Sequence, residues 1–167
     1  MFKDNLLINF FCELACDSEG RTIRNILGFN DKNIEDTHNF IQWIFPTYTE
    51  SKYNPDAPQI TRNFKILFQD NAIAKDNFCK TCRMFLNFIG MECCENSKNI
   101  SIKENAKMFY ERPPSTLFRI TRVLNSLNQV GNVYCSKSLF SLLSKINEIH
   151  CDKIPQKSFM FWQETQH

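Results

Sequence analysis

Apolar residues recur along most of this chain every three to four positions, the spacing of amphipathic helices. Phe2 to about Cys16 predicts a first helix with Leu6, Leu7, Phe10, Phe11 and Leu14 as its stripe and Gly20 as its stop. Thr22–Leu27 predicts a short helix ended by Gly28. A third, capped by Asn33, places Ile34, His38, Ile41, Trp43, Ile44 and Phe45 along one run that stops before Pro46. Proline lacks an N–H and disfavours helical geometry in the residue before it. Residues 46–60 hold three of the six prolines, so this stretch is either a packed Ω-loop or a functional one.

Thr61 reads as the N-cap of a helix with Phe64, Leu67 and Phe68 inward, broken at Asp70-Asn71. The next carries Ile73, Phe78, Cys82, Phe85, Leu86 and Ile89 and ends at Gly90 in a left-handed conformation. A polar loop follows from Glu92 to Asn99. Ser101-Ile102-Lys103-Glu104 then has the form of a capping box opening a helix to Tyr110. Further helices are expected at 116–130, closed by Gly131, at Ser136–His150, and around Phe159 and Trp162. No strand is predicted. The expectation is an all-α protein of eight or nine helices forming a single compact domain over residues 1–167.

Sixteen phenylalanines supply a core for such a domain and argue against disorder. A formal charge of +2 gives no bulk electrostatic case for nucleic acid. No apolar run approaches the ~20 residues of a membrane span, and no secretory signal is evident. The expected location is cytoplasmic or otherwise intracellular, in a reducing compartment. Eight cysteines therefore read as thiols, not as a disulfide framework. Cys12 and Cys16 should share a buried helical face. Cys79-Lys80-Thr81-Cys82 followed by Cys93-Cys94 is the one metal-like spacing. It falls on a helix, and two adjacent cysteines are a poor second pair for tetrahedral zinc, so no metal is expected. No other cofactor motif is present.

Two groups of residues are candidates for a site. His38 and Gln42, one turn apart, share a face, where His38 either anchors the proline loop or meets a ligand. Trp43 reads as a core aromatic with its indole N–H on a loop carbonyl. Arg119 and Arg122 are expected on one side of a helix that buries Phe118, Val123, Leu124 and Leu127 on the other. They could receive a carboxylate or phosphate, or pair with Asp36, Glu35 or Glu50. No residue stands as a nucleophile beside a base, and no catalytic residue is assigned. The alternative is an enzyme with His38/Gln42 and Arg119/Arg122 converging on one cleft.

The run His38-Asn39-Phe40-Ile41-Gln42-Trp43-Ile44-Phe45-Pro46, with Ser51-Lys52-Tyr53-Asn54-Pro55-Asp56-Ala57-Pro58 after it, resembles the conserved domain of the opioid growth factor receptor family. Gly20-Arg21-Thr22-Ile23, Ile26-Leu27, the stretch Phe118–Leu127 and the closing Phe159, Phe161 and Trp162 extend the resemblance from about Gly20 to Trp162. Pro113-Pro114-Ser115 departs from it, standing where the family has a His-Asn pair. The resemblance implies a receptor-like binding module with signalling receptor activity and a peptide or protein ligand, an enkephalin-type growth-restraining peptide in animals. It also implies nuclear and peripheral membrane association in animal relatives.

Overall fold

The computed structural model describes residues 2–93 and 99–167, with side chains from Leu6 onward. Among them are nine α-helices, one 3-10 turn and a two-stranded ribbon, so the protein is mostly helical. They fall into two compact units, Met1–Met84 and Phe85–His167. No helix among the described residues is long and apolar enough to cross a membrane.

The first unit contains α1 (Phe2–Phe11), α2 (Ile23–Leu27), α3 (Asp31–Asp36), α4 (Ile41–Ile44) and α5 (Arg62–Asp70), and the first part of α6 (Ala72–Phe88). Its core is a chain of rings. Phe11 meets Phe10, Phe68 and Phe78 with centroids 5.6–6.0 Å apart. Trp43 lies 5.2 Å from Phe10, and Phe45 lies 5.9 Å from Phe78. Most of these contacts are edge-to-face, the arrangement the ring quadrupole favours.

Helix α1 stops at Phe11, well before the expected Cys16. Leu14 N–H bonds to Asn9 O at 2.7 Å and Glu13 N–H to Phe10 O at 3.1 Å, a Schellman closure with Glu13 at φ 63°. The usual glycine is absent there, which is why no stop was legible. Asn77 of α6, buried, donates its side-chain N–H to Phe11 O at 2.7 Å and completes the cap. Cys12 is consequently half-buried and Cys16 and Leu14 exposed, not aligned on a buried face. Leu67 and Ile73, expected inward, are also exposed.

The expected third helix is two. α3 is capped by Asn30, whose Oδ1 accepts from Asn33 N while Asn33 Oδ1 accepts from Asn30 N. Thr37 then turns extended (φ −95°, ψ 123°) and residues 37–40 are not helical. Thr61 caps α5 through Phe64 N–H, as the sequence indicates, and Asn71, read from sequence only as a break, also caps α6 through Ala74 N–H.

The second unit contains the end of α6, the strands β1 (Met91–Cys93) and β2 (Ile100–Ile102), the 3-10 turn Phe109–Glu111, and helices α7 (Ser115–Gln129), α8 (Val133–Ile149) and α9 (Gln156–Glu164). The ribbon is a correction to the strandless expectation. Met91 opposes Ile102, Glu92 opposes Ser101 and Cys93 opposes Ile100, so apolar and polar residues alternate over only three positions. That run is too short to stand out. Ser101 pairs in β2, so its capping-box pattern opens no helix; the reach-back contact here is Met108 N–H to Glu111 Oε2 at 2.8 Å. Residues 94–98 of the expected polar loop, Cys94 among them, lie outside the described residues.

α7 packs on α8 and α9. Trp162, fully buried, donates Nε1–H to Leu117 O at 3.2 Å and meets Phe109 edge-on at 5.8 Å. Asn128 donates to Thr165 O at 2.6 Å, and Phe159 stacks on Phe140. Gly131 closes α7 at φ 95°, with Asn132 N–H on Leu127 O. Ile149, at the end of α8, is exposed.

Gly90 ends α6 at φ 87°, where an added Cβ would come within 2.9 Å of Lys107 O and 2.7 Å of Met108 Sδ. Gly90→Ala should therefore lower stability by about 1–3 kcal/mol, through left-handed strain and overpacking. Urea unfolding checks this; an unchanged midpoint would mean the turn relaxes freely. Ser126 Oγ is buried without a hydrogen-bond partner among the described residues. Ser126→Ala should thus leave stability unchanged or raise it by about 1 kcal/mol.

Candidate functional site

The most developed polar arrangement lies in the first unit, around the loop from Thr47 to Ile60. It begins at Asp17, whose side chain is fully buried. Asp17 Oδ1 accepts from the N–H groups of Glu19 and Arg21 at 2.9 Å each, and Oδ2 accepts from Arg21 Nε at 2.7 Å. Gly20 at φ 75° supplies the tight turn that returns Arg21 to Asp17. Arg21 then donates Nη2–H to Asn39 Oδ1 at 2.8 Å, and Asn39 O accepts from Asn54 Nδ2 at 2.8 Å. Four side chains thus link the segment before α2, the α3–α4 connection and the loop.

The loop is closed at its base by Ile60 N–H on Thr47 O at 2.9 Å. Inside it, Ser51 Oγ accepts from Tyr53 N–H at 3.2 Å and Asn54 N–H at 3.3 Å, and Asn54 O accepts from Ala57 N–H. Asn54, Ala57 and Pro58 are buried, whereas Tyr53 is 83% exposed and Tyr48 45%. Of the two readings offered by the prolines, the packed Ω-loop describes its interior. It still presents two tyrosines, Tyr48 beside its base and Tyr53 within it.

His38 is exposed and lies in the non-helical link, so it does not share a helical face with Gln42. Gln42 is buried on α4 and approaches the loop through Nε2–H on Ser51 Oγ at 3.4 Å. Trp43 is a core aromatic, 2% exposed. Its Nε1–H finds no loop carbonyl or other hydrogen-bond partner among the described residues, a correction; neither does Gln42 Oε1. Asp17, Arg21, Asn39 and Asn54 were not singled out from sequence as a site. Their signal was faint: polar residues inside otherwise apolar words, fifteen and eighteen positions apart at the longer links.

Arg119 and Arg122 belong to the second unit. Val123, Leu124 and Leu127 are buried as expected, but Arg119 is buried with them on the packed side of α7 and Phe118 is 58% exposed, so these two exchange the expected faces. Helical spacing explains it: residues 119, 123 and 127 recur at four, and 118 falls off that line. Arg122 is half-buried, and burial lowers its guanidinium pKa from the ordinary arginine value to about 10. It remains charged at neutral pH. Its burial opposes folding there, and that cost is relieved only as pH rises through 10, where the unfolded chain binds the proton more tightly. Nearby, Arg112 stacks over Phe88 at 4.0 Å. Tyr110 lies 5.0 Å from the His150 ring, with Lys153 above it, and burial, then Glu111, raises its phenol pKa.

Among the described residues no group of three or more His, Cys, Asp or Glu is placed to hold a metal ion. Cys79 is exposed and Cys82 half-buried on α6. 

A family model described as the opioid growth factor receptor conserved region matches residues 3–162. The chain is 29% identical over 103 residues to opioid growth factor receptor-like protein 1 of Xenopus tropicalis, covering 60% of this chain and 20% of that protein. The Mus musculus protein of the same name is 27% identical over 103 residues, with 60% and 22% covered. The match thus spans about a fifth of the length of these relatives. No solved structure matches.

Removing Arg21 should strip the buried Asp17 carboxylate of its cation and cost about 2–3 kcal/mol in urea unfolding. Arg24→Ala, which removes an exposed pair with Glu13, should change stability by under about 0.5 kcal/mol. Equal effects would mean the Asp17–Arg21 link carries no structure. Trp43→Ala should cost about 3–5 kcal/mol, the range for truncating a large buried aromatic. An unchanged urea midpoint would place Trp43 at the surface.

Proposed function

Because the chain belongs to the opioid growth factor receptor conserved-region family, we propose that it is a non-catalytic, receptor-like binding module for a peptide or protein partner. The observation that supports this most is the hydrogen bond from Asn54 to Asn39 O. On one side of it comes His38 and on the other Tyr53, both exposed. Buried polar groups are spent on holding a surface loop still, so the loop's ordering entropy is met on folding and not on binding. Tyrosine suits such a surface, since it offers large amphipathic area with few rotatable bonds. A buried Arg119 is poorly placed to receive an acidic ligand, so recognition is assigned to the loop and not to the α7 arginines.

Native mass spectrometry against panels of peptides, nucleotides and phosphorylated metabolites tests the proposal. The expected hit is a peptide, weakened at least tenfold in Tyr53→Ala with unchanged thermal unfolding. A reproducible turnover that depends on His38 would overturn it, as would peptide binding indifferent to Tyr53 but abolished by an Arg122 substitution that folds.

A further inference from the structure

The outer face of α5 carries a charge arrangement that the fold itself does not use. Phe64 and Phe68 are buried and set the packed side of this helix, and Ile66 lies two residues from each. At about 100° per residue, Ile66 is therefore on the opposite side, and it is 54% exposed. Arg62 and Asp70, four residues before and after it, share that side and are exposed. Leu67, 42% exposed, borders the stripe.

Both charges stand at the unfavourable end of their helix. Arg62 is the first residue of α5 and Asp70 the last, with no acidic residue in the first turn and no basic residue in the last. The macrodipole makes the N-terminus positive and the C-terminus negative, so each of these side chains opposes it. Neither forms an ion pair among the described residues. An opposite charge at each end would relieve the arrangement, and the single chain does not supply one.

One geometry supplies it at both ends at once. Four residues of α-helix rise about 6 Å. A second α5 laid antiparallel, Ile66 against Ile66, thus brings its Asp70 to Arg62 and its Arg62 to Asp70. A two-fold interface is self-complementary in this way, residue i meeting j while j meets i. We propose that the Arg62–Ile66–Asp70 face is a homodimer surface, occupied by α5 of a second copy of this chain paired antiparallel about Ile66. The contact covers Ile66 and Leu67 and sets each unpaired charge against its opposite. One face of a nine-residue helix is smaller than the ~1,200 Å² of a lasting interface, so the dimer is weak and forms with rising concentration. This surface goes beyond the binding reading and does not rest on it, because Tyr53 lies outside the stripe.

Sedimentation velocity of the full chain over a concentration series tests the proposal. Reducing conditions keep the exposed Cys16, Cys79 and Cys151 from forming cross-links. The wild-type mass should move from monomer towards dimer as concentration approaches millimolar, and high salt should weaken the association. Arg62→Glu and Asp70→Arg each set like charges against one another and should leave the chain monomeric over the same range. Mixed in equal amounts, the two variants should regain the association, since each presents the charge the other lacks. Each reversal also suits the dipole at its own helix end, so thermal unfolding of the dilute variants should be unchanged or higher. That readout separates lost association from lost fold. Ile66→Asp should abolish the dimer and, at an exposed position, retain the fold. A wild-type chain that stays monomeric to millimolar concentration overturns the proposal and leaves the face to a different partner. Association that survives all three substitutions also overturns it, as does a mixture of the two reversals that stays monomeric.

Discussion

The first unit is organised by a carboxylate with nowhere else to go. A buried, ionised aspartate is tolerable only when its oxygens are filled, and Asp17 is filled by two backbone N–H groups and one guanidinium. That requirement fixes the turn at Gly20 and the direction of Arg21. Arg21 has donors to spare, because a guanidinium carries five in a rigid fork. One of them reaches Asn39 Oδ1 in the non-helical α3–α4 link. The Asn39 carbonyl, no longer in a helical ladder, then accepts from Asn54. The loop's position follows from the aspartate through three successive hydrogen bonds, each leaving the next group one unmet valence.

The aromatic core and this polar string divide the work differently. Rings provide most of the driving force, and packing of Phe10, Phe11, Trp43, Phe68 and Phe78 is non-directional enough to tolerate several loop paths. Hydrogen bonds to buried groups are directional, and an unmade one is expensive. The string therefore selects one path for residues 47–60 from those the core would allow. Specificity here comes from four polar residues and stability from the phenylalanines around them.

This division explains what could be read in advance. Helices α5, α6, α7 and α8 were legible because each is amphipathic, and three of them carry a cap or stop visible in the sequence: Thr61 for α5, Gly90 for α6 and Gly131 for α7. What failed was decided by partners far away in sequence. α1 ends at Phe11 through Asn77, sixty-six residues downstream, with a glutamate in the position glycine usually takes. The third helix divides at Thr37, which turns extended, and Asn39 within the break is held by Arg21 and Asn54. Ser101 and Glu104 lost their capping box to strand pairing with β1. In the candidate site, His38, Gln42 and Trp43 were visible as a word, but their shared helical face dissolved with the helix itself. The tether that gives the word its geometry left only scattered polar letters.

The same logic separates α4 from α7. In α7 the arginine that reads as a receptor for anions points into the packed side of its own helix, at four-residue spacing with Val123 and Leu127. A long aliphatic stem beneath a planar cation can serve as core there, and Arg122 beside it shows the cost of burial in its lowered pKa. In α4, by contrast, the polar groups are neutral, and Gln42 reaches the loop only through Ser51 Oγ at 3.4 Å. The loop's path is therefore set by Asn54 and by its own internal bonds, and α4 contributes chiefly the packing of Trp43 against Phe10.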